Sequence, residues 1–130
     1  MIVYIETSAA AKLLFREAET DALKAWLDDL TDGEVPIFSS ILLETELRRA
    51  AAREGAPQAT VTSVLEHFDI VDLDRSVWTT AGLLPGAHLR SLDALHIAVA
   101  LRIGTTVMVS YDARQLQAAR DAGLNTISPS

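Results

Sequence analysis

Four carboxylates at widely separated positions raise the chemical question. Glu6 follows directly on the apolar run Ile2–Ile5, and Asp112 comes just after the run Thr106–Ser110. Each run is short, continuous and rich in β-branched residues, which reads as a buried strand. Each acid therefore stands where a strand ends and a helix begins. Either could simply cap that helix, because a side-chain oxygen there accepts orphan N–H bonds and an anion faces the positive end of the helix dipole. Two strands ending the same way are more informative than either acid alone. Asp93 lies in the first turn of RSLDALHIAVALRIG, where Leu92–Ile103 is apolar nearly all round and predicts a buried helix. A carboxylate on such a helix is expensive unless it is paired or bound to a cation; the competing role is dipole compensation. His96, one turn on, reads as a hydrogen-bonded core residue rather than a ligand.

The segment SSILLETELRRAAAREG holds Glu44 and Glu46. At ~100° per residue, Leu43, Leu47, Ala50 and Ala51 form its apolar face. Glu46 borders that face. Glu44 lies on the other side, with Arg48 at i+4 as a solvent partner. Glu46 is thus the inward candidate, and its competing role is a surface pair with Arg49 worth under ~1 kcal/mol. Asp28, Asp29, Asp69, Asp72 and Asp74 read as structural, on an exposed helix face, beside a strand or at a helix cap. Four carboxylates, no cysteine and three scattered histidines favour a hard cation, Mg²⁺ or Mn²⁺. The chain has no Gly-rich phosphate loop, nucleophile elbow or HExxH.

The elements that must position these acids alternate along the chain. Strands are expected at Ile2–Ile5, Pro36–Phe38, Phe68–Leu73, Thr106–Ser110 and Asn125–Ile127. Helices are expected at Ser8–Arg16, Thr20–Leu30, from Ser39 or Ser40 to about Arg53, Gln58–His67, Arg75–Leu84, Ser91–Arg102 and Ala113–Ala122. Such alternation implies an α/β fold with a mainly parallel sheet of four to five strands, covered on both faces. Ligands bind such sheets beyond the carboxyl ends of the strands. At 130 residues a single domain over 1–130 is expected. A net charge of −7 argues against general nucleic-acid affinity, although the eleven basic residues can gather on one face. With no basic leader and no apolar run of ~18 residues, the expectation is a soluble, cytoplasmic protein without membrane contact.

Taken together and in order, VYIETSAAAKLL, SSILLETELRRA, LRSLDALHIAVAL and VSYDARQLQAARDAGL resemble a PIN-domain ribonuclease, the VapC-type toxin of a VapBC toxin–antitoxin pair. The resemblance implies a three-layer α/β/α sandwich and endonucleolytic RNA hydrolysis at one or two Mg²⁺ or Mn²⁺ ions, leaving a 3′-hydroxyl and a 5′-phosphate. The family's four acids fall on Glu6, Glu46, Asp93 and Asp112, in agreement with the choice of Glu46 by helix phase. Asp93 and Asp112 are expected as direct ligands, and Glu6 as a ligand directly or through water. Glu46 is expected to hold a metal-bound water or orient the nucleophile. Ser8 and Ser110 match positions that carry small hydroxyl residues near the family's site. Lys12, Arg16, Arg49, Arg53 and Arg90 are the candidates for holding RNA, against a competing role as solvated helix residues. Implied partners are RNA, a cognate VapB-type antitoxin and a second copy of the chain. Trp26 and Trp78 read as ordinary core.

One position departs from the pattern: Glu6 stands where the family has Asp. The charge is kept, but the added methylene gives the carboxylate longer reach and one more torsion, and Mg²⁺ demands near-ideal octahedral geometry. The alternative function is therefore a catalytically impaired PIN module that mainly binds antitoxin or RNA. A phosphatase or receiver-type acidic pocket would add a lysine near a late strand end, which VMVSYDAR lacks.

Overall fold

The computed structural model describes residues 1–130. Its elements are β1 (Val3–Ile5), α1 (Thr7–Leu14), α2 (Thr20–Asp32), β2 (Ile37–Ser40), α3 (Ile41–Glu54), α4 (Gln58–Leu65), β3 (Asp69–Val71), α5 (Arg75–Leu83), α6 (Ser91–Arg102), β4 (Val107–Val109), α7 (Ala113–Asp121) and β5 (Asn125–Ile127). All neighbouring strands pair in parallel, in the order β3-β2-β1-β4-β5. The chain builds outward from β1 on one side and then returns to build outward on the other. The gap between β1 and β4 is therefore the topological switch point, the place where open α/β sheets leave a crevice.

Strand alternation sorts the core into two layers. Val3, Ile5 and Val109 point to one face, where Leu23 and Leu27 of α2, Leu43 and Leu47 of α3 and Val61 of α4 cover them. Tyr4 and Met108 point to the other, against Val77 of α5, Ile97 and Val99 of α6 and Ala119 of α7. The three-layer α/β/α architecture follows from this period of two. Residues 94–100 of α6 are all buried, as its apolar run requires.

Element ends differ from the sequence reading by a few residues, each for a local reason. Helix α1 begins at Thr7 because Glu6 caps it, and ends at Leu14 because Phe15 turns extended. Strand β2 runs on through Ser39 and Ser40: Ser39 Oγ donates to the Ile5 carbonyl (2.6 Å), and Ser40 caps α3. Gly55 ends α3 in the left-handed region (φ 74°), which costs glycine least. Trp26 packs against the core, whereas Trp78 is more than half exposed, contrary to its reading as core.

Candidate active site

The four acids arrive by four routes. Glu6 ends β1, where its N–H donates to the Val109 carbonyl (3.2 Å) and holds it beside β4. Its side chain caps α1: Oε1 accepts from the Ser8 N–H (3.0 Å) and from the Ser8 hydroxyl. Asp112 follows β4 and caps α7, its Oδ1 accepting from the N–H groups of Arg114 (2.9 Å) and Gln115 (3.0 Å). Glu46, in the second turn of α3, points inward as its helix phase predicts. Its Oε1 accepts from Thr7 Oγ1 (2.8 Å) and from His96 Nε2 (2.6 Å). Glu44 pairs instead with Arg48 (3.5 Å). Asp93, in the first turn of α6, accepts no bond on its carboxylate, and only its main-chain carbonyl is bonded, by Gln115 Nε2 (3.2 Å).

Asp93 and Asp112 line one open pocket of about 400 Å³ with Arg90, Ala113 and Arg114. Burial raises the pKa of Asp93 above the ordinary carboxylate value, the negative charge of Asp112 raises it further, and Glu46 adds to the effect. His96 and Arg90 pull it the other way without reversing it. Glu6 is only 4% exposed, and burial raises its pKa against the opposing pull of the Ser8 hydrogen bonds. Asp93 thus feels the charges of Asp112 and Glu46, but no three of the acids stand together as a finished metal cage. Three of the four are each held through one oxygen by protein donors. The second oxygens of Glu46 and Asp112 accept no bond from the protein. The Glu6 carboxylate also has the Ser110 hydroxyl beside it, which pulls its pKa down against burial.

Two serines and a glutamine fix the loops that carry the acids. Ser8 Oγ accepts from the Tyr111 N–H (2.8 Å), Ser110 Oγ accepts from the Asp112 N–H (3.1 Å), and the two hydroxyls lie 3.3 Å apart. The loops after β1 and β4 are thereby stitched together across the switch point. Gln115 is wholly buried and joins α6 to α7, bonding the Asp93 carbonyl through its side chain and the Asp112 carboxylate through its N–H. Sequence reading passed over Gln115 and Arg114. The available signal was position, since both sit in the helical turn that Asp112 opens.

The basic candidates separate clearly. Lys12 is buried, its ammonium shared between Glu17 and Glu19 (3.1 Å) and resting 4.6 Å from the Tyr111 ring centroid. The Glu17 hydrogen bond raises its pKa. Its charge closes the α1–α2 turn rather than facing outward. Arg16 is exposed and paired with Asp21 (2.6 Å). Arg49, Arg53, Arg90 and Arg114 are exposed and make no ion pair. A second cleft, about 320 Å³, lies where β2 and β3 begin and is lined by Leu27, Ile37, Val64 and Phe68 with Lys24, Asp28 and His67. None of the four acids reaches it.

Comparison with known proteins agrees with this fold. The PIN domain family model matches residues 3–121. Ribonuclease VapC35 of Mycobacterium tuberculosis is 42% identical over 135 residues, spanning 98% of this chain and 97% of that relative. Ribonuclease VapC47 of the same organism is 39% identical over 132 residues, again spanning 98% and 97%. The solved structure of VapBC2 from Rickettsia felis, bound to a fragment of its promoter DNA, matches 100% of both chains at a TM-score of 0.81 and 17% identity, which shows the common fold.

Proposed function

The chain belongs to the PIN-domain family, and on that footing we propose that it is a divalent-metal-dependent endoribonuclease, the toxin of a VapBC-type toxin–antitoxin pair. One observation carries the reading. Asp93 and Asp112 flank one open pocket at the switch point, repel each other, and offer carboxylate oxygens that no protein group engages. The donor set fits Mg²⁺ or Mn²⁺: oxygen only, the whole Asp93 carboxylate and the second oxygen of Asp112 unengaged, and room for retained water, the usual way Mg²⁺ is bound. Asp93 and Asp112 would hold the ion directly. Glu6 and Glu46 would reach it through their free oxygens or through water. When bound, the ion supplies an activated water near neutral pH and screens charge on the phosphate. The chain's own residues orient those four carboxylates, and Arg90 and Arg114 on the pocket wall supply cations that an RNA backbone needs, with the exposed Arg49 and Arg53 of α3 as further candidates.

The names of the relatives support RNA as substrate and an antitoxin as partner. Self-association is supported by the exposed Trp78, Leu83 and Leu92 on α5 and α6. No helix is long and apolar enough to cross a membrane. The test is cleavage of single-stranded RNA with Mg²⁺ or Mn²⁺, against EDTA and against Asp93→Asn. Metal-dependent cleavage lost in the variant is expected, and equal cleavage in every condition would reject the reading.

A second reading, a module that binds antitoxin or RNA with little turnover, is favoured by Glu6 being folded onto Ser8. Glu6→Asp separates the two. A gain of tenfold or more in cleavage identifies a damped enzyme, whereas inactivity of both forms identifies the binding module.

A further inference from the structure

Behind the open pocket runs a buried chain of polar groups that the four-acid reading does not use. Tyr4 lies in the middle of the central strand β1 and His96 on the buried helix α6; they are 0% and 1% exposed. Tyr4 Oη and His96 Nδ1 are 2.6 Å apart, and His96 Nε2 lies 2.6 Å from Glu46 Oε1. The direction of the bonds follows from the ends. A carboxylate only accepts, so Nε2 carries the proton toward Glu46. Nδ1 on the far side of the ring pairs with the Tyr4 hydroxyl, which can serve it as donor or as acceptor. Both ring nitrogens are thereby engaged. The tyrosine ring also meets the imidazole edge-on, with centroids 5.8 Å apart. Thr7 Oγ1 donates to the same Oε1 (2.8 Å).

This arrangement exceeds what stability requires. A glutamate in the second turn of a helix and about a quarter exposed could have turned to water, with Arg49 at i+3 as a partner. Instead two donors from two other elements converge on one oxygen. The other oxygen accepts no bond from the protein. A long side chain is thereby reduced to one rotamer and one available lone-pair set.

We propose that His96, itself fixed by Tyr4, is the positioning residue for Glu46: it holds Oε1 so that Oε2 alone is presented to the divalent ion. The inference rests on the nuclease reading above and concerns how that site is kept in register. Partners that orient metal-binding carboxylates typically contribute 10–100-fold to metal affinity, and that range is expected here.

The test measures Mn²⁺ binding by calorimetry on the full chain, with thermal unfolding in EDTA and RNA cleavage alongside. His96→Met fills the space but removes both ring bonds. It is expected to unfold cooperatively and to bind Mn²⁺ 10–100-fold more weakly. At saturating Mn²⁺ its kcat should recover while its KM for RNA stays unchanged, a split that general loosening of the fold would not produce. His96→Gln, which can restore a donor to Oε1, should recover affinity to within about threefold. Adding Glu46→Gln to His96→Met should cause no further loss, because the two act as one unit. Full Mn²⁺ affinity in a folded His96→Met, or independent losses in the double variant, overturns the inference. If His96→Met fails to fold, Tyr4→Phe decides the matter in its place, with weakened Mn²⁺ binding supporting the inference and unchanged binding overturning it. A parent protein that binds no Mn²⁺ refutes the nuclease reading and this inference together. A parent that binds it, with variants that bind it equally, refutes only the inference.

Discussion

Replacement of Asp93 by asparagine separates the two roles open to this residue, because they predict opposite signs. If Asp93 serves the helix dipole, losing the anion should destabilise the protein by about 0.3–1 kcal/mol. The structure argues for the other sign. The pKa of Asp93 is raised, first by burial and then by Asp112, even with Arg90 and His96 opposing. A carboxyl whose folded pKa lies above its ordinary value of 3.8 contributes stability below that value and loses it as pH rises through the folded pKa. At pH 7 the ionised form is therefore a net burden on the metal-free fold. Asp93 is only half-buried, so solvent screening limits the relief to roughly 0.5–1 kcal/mol. For a chain of this size that raises Tm by about 2–5 °C.

The same substitution should remove the response to metal. An ion at 100 times its Kd stabilises the folded state by about 2.7 kcal/mol, roughly 10 °C in Tm. Scanning calorimetry of parent and Asp93→Asn, each in EDTA and in excess Mn²⁺, gives four midpoints that decide the matter. The expected pattern is a variant that melts higher than the parent in EDTA and lower in Mn²⁺. A variant that melts lower in EDTA yet gains the full Mn²⁺ increment would show that Asp93 is a dipole acid and the reasoning is wrong.

Glu6→Gln keeps an oxygen for the Ser8 N–H but removes the charge, so in EDTA its Tm advantage over the parent should be absent near the ordinary carboxylate value of 4.5 and grow as pH rises. A difference that stays constant from pH 4.5 to 7.5 counts against burial as the cause of the raised pKa. Arg114→Ala is expected to raise KM for RNA several-fold, more so at low salt, while stability stays within about 0.5 kcal/mol; an unchanged KM would remove Arg114 from the RNA surface. Lys12→Ala should do the reverse, destabilising by about 1 kcal/mol through the lost Tyr111 contact and the lost packing of the buried Lys12 stem, which urea unfolding measures against RNA affinity.

Legibility in the sequence followed periodicity. The buried helix α6 was readable because its apolar run leaves no polar face, and Glu46 was separable from Glu44 because two residues along a helix differ by more than half a turn. The caps at Ser40 and Asp74 and the stop at Gly55 were readable because each rests on the chemistry of one residue. What stayed hidden were pairings across elements. Nothing near Lys12 shows that the α1–α2 turn folds Glu17 and Glu19 back over its ammonium. Nothing near His96 shows that Tyr4 lies below it and Glu46 above, since those partners lie 92 and 50 residues away.

The sequence also posed a choice that the geometry dissolves. At Glu6 and Asp112, helix cap and metal ligand were set against each other as alternatives. A carboxylate has two oxygens, and in both residues the cap bonds fall on one of them. Glu46 follows the same division, with Thr7 and His96 sharing a single oxygen. A structural bond on one oxygen is therefore compatible with the proposed cation on the other, and it fixes the rotamer of the side chain. Only Asp93 has no such anchor on its carboxylate, and its place is set through the main chain, where Gln115 ties its carbonyl to the helix that Asp112 caps. Three acids are thus held by bonds to their own side chains and one through its backbone, and burial, joined at Asp93 by the charge of Asp112, is what raises the pKa values of Glu6 and Asp93.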